Sequence, residues 1–322
     1  MAADGSAPRL QRIADYPALL EEAWSQAHAP REANAPTVIS TFAGCGGSSL
    51  GYHMAGFREL LAVEWEQNAA DTFRLNFPHV PLYHGDIAKL SVEECLRLAG
   101  VAPGELDVFD GSPPCQGFST AGKREMGDAR NQLFREYCRL LQGLRPKAFV
   151  MENVSGMVKG DFKLIFAEIL RTLKGCGYRV KARLLNAMFY GVPQSRERMI
   201  FVGVREDIAR EPSHPSGWSV PIPMREVVGD FAGRVVAWRN KGGLHDYRSP
   251  DEVAPTLDKG GGHTVLNGER SPWPLRVARL LGGYPRAFAF VGSERDGIAR
   301  IGNAVPPLFM RSIARHVRTL IA

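Results

Sequence analysis

Cys115 follows Pro113 and Pro114 at the end of an apolar run, and Glu152 closes a second apolar run in the string MENV. A thiol and a carboxyl held at the ends of two neighbouring strands can do covalent chemistry. A thiolate adds to an electron-poor ring carbon while an acid protonates the ring nitrogen, and the resulting enamine carbon accepts a methyl group. Cytosine requires such activation, because its C5 is not nucleophilic by itself. The plain alternative is that Cys115 is a small buried hydrophobe. The cysteines at 45, 95, 115, 138 and 176 are odd in number and form no CxxC pair, which argues against a disulfide framework and against a zinc site. The stiff Pro-Pro lead and the companion Glu152 favour a nucleophile over a core plug.

A second group of residues reads as a nucleotide pocket. TFAGCGGSSLG places Gly44, Gly46 and Gly47 between a strand and a helix, where glycine permits a tight turn and close approach to a ligand. Glu64 comes 18 residues after Gly46, the spacing at which an acid reads a ribose hydroxyl pair, and Trp65 beside it can stack on adenine. Asp86 and Ile87, after a third short strand, suit the adenine edge. Neither GxGxxG nor GK[ST] is present, so an adenosine cofactor without a pyrophosphate is expected, and S-adenosylmethionine fits. A glycine turn with no ligand is the plain alternative. Further on, YGVPQSRERMIF supplies Gln194, Arg196 and Arg198. Two arginines two apart on a strand share a face. They serve either as a surface charge pair or as holders of a base carbonyl and a phosphate.

These groups need a frame. From Thr37 onward, β-branched runs alternate with helical patterns, so a doubly wound, mostly parallel α/β sheet of Rossmann-like type is expected, with the sites at its carboxyl edge. A helix over about residues 12–28 reads as a peripheral addition. After residue 205 the chain becomes rich in Pro, Gly and Ser with no convincing helix, which suggests a small irregular second region; a closing helix enters through Pro306 and Pro307. The expected division is residues 1–36 as an N-terminal helical extension, 37–204 as catalytic and cofactor domain, 205–272 as target-recognition region, and 273–322 returning to the catalytic domain.

The chain has 322 residues, a net charge of +6 and a pI near 9.1. Residues 271–322 carry eight arginines against two acids, and residues 117–145 carry one lysine and five arginines against three acids. Such blocks are either solvated helix faces or a two-sided grip on a polyanion. No apolar run is long enough to span a bilayer and the N-terminus lacks a signal-type apolar core, so a cytoplasmic protein is expected.

Seven blocks occur together in this order: FAGCGGSSLGYHMAGF, VEW, GDI, DGSPPCQGFSTAGKR, ENVSGM, YGVPQSRERMIFVG and RIGNAVPP. In this the chain resembles the bacterial DNA (cytosine-5)-methyltransferases. The resemblance implies methyl transfer from S-adenosylmethionine, leaving S-adenosylhomocysteine, to cytosine C5 in a short duplex DNA sequence, with the base flipped out. It implies Cys115 as nucleophile at C6, Glu152 as donor to N3, and Arg198 with Arg196 at the base O2 and a nearby phosphate. Asn153 would brace the turn. Phe42, Gly44, Gly46, Gly47, Glu64, Trp65, Asp86, Ile87, Pro114 and Asn303 would hold the cofactor. A loop over residues 117–133 would close over DNA with Ser119, Lys123, Arg124 and Arg130, while Gln194, Thr256 and Gly261 would also face DNA. Double-stranded DNA is the implied partner of a monomer that needs neither metal nor membrane, with a cognate restriction endonuclease as a candidate second partner. The family's LTxRExARLQxFP block appears as WPLRVARLLGGYP, without its early Arg-Glu pair, and the recognition region is short, with nine basic against ten acidic residues. A tRNA cytosine-5 methyltransferase is the alternative that shares the catalytic set, although its Cys-Phe-Thr marker is absent. A non-catalytic DNA-binding member is the other alternative, although it should have lost Cys115 or Glu152.

Overall fold

The computed structural model describes residues 10–114, 129–158, 162–229, 235–239, 245–261, 263–266 and 269–322. The β-branched run TVIST forms β1 (Thr37–Thr41), buried at every position. It lies inside a seven-stranded sheet with β2 (Arg58–Glu64), β3 (Leu82–His84), β4 (Val108–Gly111), β5 (Ala148–Val154), β6 (Tyr178–Asn186) and β7 (Glu197–Arg205). The order is β3-β2-β1-β4-β5-β7-β6. The first five strands are parallel, and β7 runs antiparallel between β5 and β6. The sheet is therefore mostly parallel, as the alternation of strands and helices implies.

Helices cover both faces. α1 (Tyr16–His28), α2 (Gly47–Met54) and α3 (Gln67–Asn76) lie on one side with the C-terminal helix. α4 (Val92–Ala99), α5 (Ala129–Leu144) and α6 (Phe162–Gly175) lie on the other. Strand residues alternate between the two cores: Val108 and Val150 face the first, Phe109 and Met151 the second. α1 is not peripheral. It starts at Asp15, whose side chain accepts the Ala18 N–H at 2.9 Å, and it buries Tyr16, Leu20, Ala23 and Ala27 in the first core. The Tyr16 hydroxyl donates to the Leu280 carbonyl at 3.1 Å, tying the first helix to the last quarter of the chain. Truncating Leu20 to Ala at such a site costs about 2–5 kcal/mol.

Residues 205–272 hold more order than their composition suggests. A short helix, α7 (Met224–Val228), precedes β8 (Val235–Arg239), β9 (His245–Arg248), β10 (His263–Leu266) and β11 (Glu269–Pro272). These strands form an antiparallel sheet of order β11-β10-β8-β9. The chain then returns through α8 (Leu275–Leu281), α9 (Glu294–Asn303) and α10 (Pro307–Ile321), which packs along α2. α9 begins in a capping box, in which Ser293 and Asp296 exchange side-chain and backbone hydrogen bonds.

Candidate active site

At the carboxyl edge of β1, β2 and β4 lies a cavity of about 620 Å³. One wall is the turn from β1 into α2. Phe42 and Gly44 both adopt left-handed backbone there, with φ of 54° and 58°. Gly46 caps α2 at φ 96°, and a Cβ on it would stand 2.3 Å from the Phe77 ring, so only glycine closes this turn against the core. The second wall is the end of β2. Glu64 is buried; one carboxylate oxygen accepts the Gly44 N–H at 2.7 Å, and the other accepts the Trp65 and Glu66 N–H groups at 2.9 and 2.8 Å. Its strand end and the glycine turn thus hold each other. Trp65 is 75% exposed at the rim. Asp86, which is exposed and caps the Ala88 N–H at 2.9 Å, and buried Ile87 also line the cavity, as do Pro114 and Asn303.

All the expected cofactor residues except Gly46 line this cavity. Gly46 shapes the turn behind it. The sequence reading missed Ser112, Glu66 and Arg300, which also line it; Arg300 pairs with Glu66. Ser293-x-x-Asp296 was the available signal for α9, the helix that brings Arg300 and Asn303 to the wall.

The second group converges at the end of β5. Glu152 is buried, and Arg198 Nε lies 2.7 Å from its Oε1. The acid that closes the apolar run is therefore paired with a guanidinium. Asn153, also buried, donates from Nδ2 to the Pro113 carbonyl at 3.0 Å and receives the Val154 N–H on Oδ1 at 2.9 Å. β4 and β5 pair in parallel register, so the Pro-Pro segment and the Glu152–Arg198 pair stand on neighbouring strand ends. Cys115, Ser119, Lys123 and Arg124, and the side chain of Arg130, lie outside the described residues.

Two expectations about facing side chains are corrected. Arg196 does not share the cleft with Arg198. It precedes the strand rather than lying on it, is 2% exposed, and turns into the protein to donate to the carbonyls of Leu257 at 2.8 Å and of Gly302 and Ala304 at 2.9 Å each. Burial, and then neighbouring Arg198, pull its pKa down to about 9. Gln194 is buried rather than open to DNA: it donates to Leu281 O at 3.2 Å and accepts the Leu257 N–H at 3.0 Å. Thr256 is exposed, with its hydroxyl donating to Ser195 O at 2.7 Å, and Gly261 lies against α9.

Beneath α2 sits a buried polar network absent from the sequence reading. Asp110 on β4 accepts from the Tyr52 hydroxyl at 3.3 Å, Ser49 donates to buried Glu59 at 2.8 Å, and His53 lies 3.2 Å from Glu59. Burial, reinforced by the negative charge of Glu59, holds the Asp110 carboxyl well above its ordinary range. Among the described residues no group of three or more His, Cys, Asp or Glu is placed to hold a metal ion, and no helix is long and apolar enough to cross a membrane.

The sheet order and the cavity at its carboxyl edge define a Rossmann-like α/β fold with a ligand cleft at the strand ends. The model of the C-5 cytosine-specific DNA methylases matches residues 36–252, and the chain belongs to that family. It is a DNA (cytosine-5)-methyltransferase. The type II methyltransferase M.NgoPII of Neisseria gonorrhoeae is 32% identical over 344 residues, covering 91% of this chain and 98% of that one. M1.HphI of Haemophilus parahaemolyticus is 34% identical over 328 residues, covering 87% and 86%. A solved structure described as a DNA modification methyltransferase encoded within an E. coli prophage superposes with a TM-score of 0.72 at 22% identity, over 89% of this chain and 99% of that one, which shows the shared fold.

Proposed function

We propose that the chain transfers a methyl group from S-adenosylmethionine to C5 of a cytosine flipped out of duplex DNA, through a covalent bond between Cys115 and C6. One contact carries the reading: Asn153 binds the Pro113 carbonyl, joining the end of β5, where Glu152 pairs with Arg198 of β7, to the segment whose Ser112 and Pro114 line the cavity. This contact supports a reading in which proton transfer and base holding take place beside the cofactor cavity.

The lining residues fit this cofactor. Glu64, Glu66 and Asp86 face the cavity against one described cation, Arg300, which is already paired with Glu66. That balance suits ribose hydroxyls and a sulfonium group, and it disfavours a pyrophosphate. Trp65 offers an exposed ring for adenine, Glu64 retains acceptor capacity for the ribose, and Asn303 sits at the opposite wall. When bound, S-adenosylmethionine supplies an electrophilic methyl carbon.

The chain's own residues do the rest. Cys115 as thiolate forms the bond to C6, and Glu152, once carrying a proton, donates it to N3, so that the electron pair reaches C5. Once C5 has taken the methyl group, the C5 proton leaves to a base, the Sγ–C6 bond breaks as the C5–C6 double bond re-forms, N3 returns its proton to Glu152, and the thiolate is regenerated. Arg198 holds Glu152 and the base O2. Residues 205–272 act as the target-recognition region and Ser119, Lys123, Arg124 and Arg130 as phosphate contacts. A flipped base is required because C6 is shielded within a duplex stack. The test is to incubate the protein with unmethylated plasmid and labelled S-adenosylmethionine and map the product by bisulfite sequencing. The expected result is 5-methylcytosine at one short sequence, abolished in Cys115→Ser, with covalent trapping on 5-fluorocytosine DNA. Absence of 5-methylcytosine overturns the reading, and label appearing in tRNA instead redirects it.

A further inference from the structure

Arg196 reaches across the molecule to two segments with separate duties. Its Nη1 donates to Leu257 O, and its Nη2 donates to Gly302 O and Ala304 O. Leu257 directly follows exposed Thr256, in the stretch whose Thr256 hydroxyl and Ser195 N–H tie it to the chain just before β7. Ala304 and Asn303 line the cofactor cavity. One buried guanidinium thus spans the DNA-facing loop and the cofactor wall. Arg196 is itself fixed, because its N–H donates to Asn186 Oδ1 at 3.1 Å and its carbonyl accepts the Ala187 N–H at 2.9 Å.

A second contact joins the same segments independently. A Cβ on Gly302 would stand 2.2 Å from the backbone carbon and oxygen of Asp258 and 2.6 Å from Lys259 N, and one on Gly261 would stand 2.9 Å from Ile298 Cγ2. The loop over residues 257–261 therefore rests directly on α9, backbone against backbone at Gly302 and against the Ile298 side chain at Gly261. α9 also carries Arg300 and Asn303 to the cavity. Such a backbone-to-backbone contact transmits displacement without a compliant side chain to absorb it.

We propose that Arg196 is a positioning residue that locks the 256–261 loop to the α9 wall of the cavity, so that DNA at the loop and cofactor in the cavity raise each other's affinity. The proposal rests on the cofactor and DNA reading given above. Coupling of this kind is reciprocal: each ligand strengthens the other by the same factor, about 5–150-fold in typical cases. Lysine is a poor substitute for Arg196, since a single ammonium cannot reproduce the two-nitrogen fork that reaches three carbonyls on two segments.

The experiment is calorimetric titration of S-adenosylhomocysteine into the full chain, alone and with a DNA duplex carrying the mapped site, for wild type, Arg196→Lys and Gly302→Ala. Gly302→Ala keeps the guanidinium and separates the loop from α9, so the test survives if an Arg196 variant folds poorly. The expected result is tighter binding with DNA in the wild type, by about fivefold or more, and a factor near one in both variants. In steady state the KM for S-adenosylmethionine rises in Arg196→Lys while kcat at saturation changes little, and Arg196→Met is worse than Arg196→Lys. Unchanged coupling in both variants overturns the proposal, as does a fall in kcat at constant KM, which would place Arg196 at the reacting base. Absence of S-adenosylhomocysteine binding in the wild type overturns the cofactor reading itself, a distinct outcome.

Discussion

Glu152 at the end of β5 and Arg198 at the start of β7 form a largely buried ion pair of 2.7 Å, and the residue beside Glu152 anchors the Pro113 carbonyl at 3.0 Å. The antiparallel register sets this up: Val154 lies opposite Arg198, so the arginine is diagonal to Glu152 on the same face. Acid and cation are thereby held by a backbone ladder, and the Pro-Pro segment beyond β4 is held to them by the Asn153 side chain.

Replacing Glu152 with Gln keeps the shape and removes both the proposed proton donor and the charge partner of Arg198. Methyl transfer should fall by about 10²–10⁴-fold, the usual worth of a positioned acid. Affinity for S-adenosylhomocysteine should remain within about threefold, because the loss is confined to the transition state. Single-turnover assays with calorimetry check both.

Asn153→Ala leaves the buried Pro113 carbonyl without this donor. A loss of about 1–3 kcal/mol in unfolding free energy is expected from an unmade buried bond. Urea denaturation measures it, and kcat should fall with it because the Cys115 segment loses its brace.

Trp65 contributes little to folding at 75% exposure. Trp65→Ala should change stability by no more than about 0.5 kcal/mol. Cofactor affinity should drop by the worth of one stacked base, about 1–3 kcal/mol or roughly 5–150-fold. Equal affinity in the two proteins would remove Trp65 from the adenine site.

Gly46→Ala combines a left-handed backbone at φ 96° with a methyl 2.3 Å from the Phe77 ring. Destabilisation of about 1–3 kcal/mol is expected from the overpacking, with strain added. Thermal unfolding and the KM for S-adenosylmethionine should worsen together, since the turn forms the cavity wall.

Asp110 sets a pH dependence. Burial raises its folded-state pKa above the unfolded value, so the native protein retains a proton that the unfolded chain gives up. Its stabilising contribution is full below the ordinary carboxylate range and is lost as pH rises toward the folded value. Asp110→Asn cannot ionise and still accepts from Tyr52. Urea midpoints at pH 5, 7 and 9 should therefore be flatter for the variant, which should be the more stable protein at the upper end.

Much of this molecule is legible locally. TVIST, the glycine turn, the Pro-Pro-Cys segment and MENV each announce themselves by residue type over a few positions, because strand propensity, left-handed turns and proline stiffness are short-range properties. The cofactor wall follows from them, since consecutive strand ends of a parallel sheet meet at one edge. Tertiary structure decided the rest. Periodicity does not encode strand direction, so the antiparallel β7 and its diagonal Glu152–Arg198 pair had to be seen in the sheet. Nor does it reveal that α1 enters the core, because that depends on the face α2 and α10 leave open to it. Arg196 is the sharpest case. Its spacing from Arg198 implies a shared cleft, yet its side chain follows carbonyls 61, 106 and 108 residues away. A buried guanidinium goes where unpaired acceptors are, and only the folded chain determines where those lie.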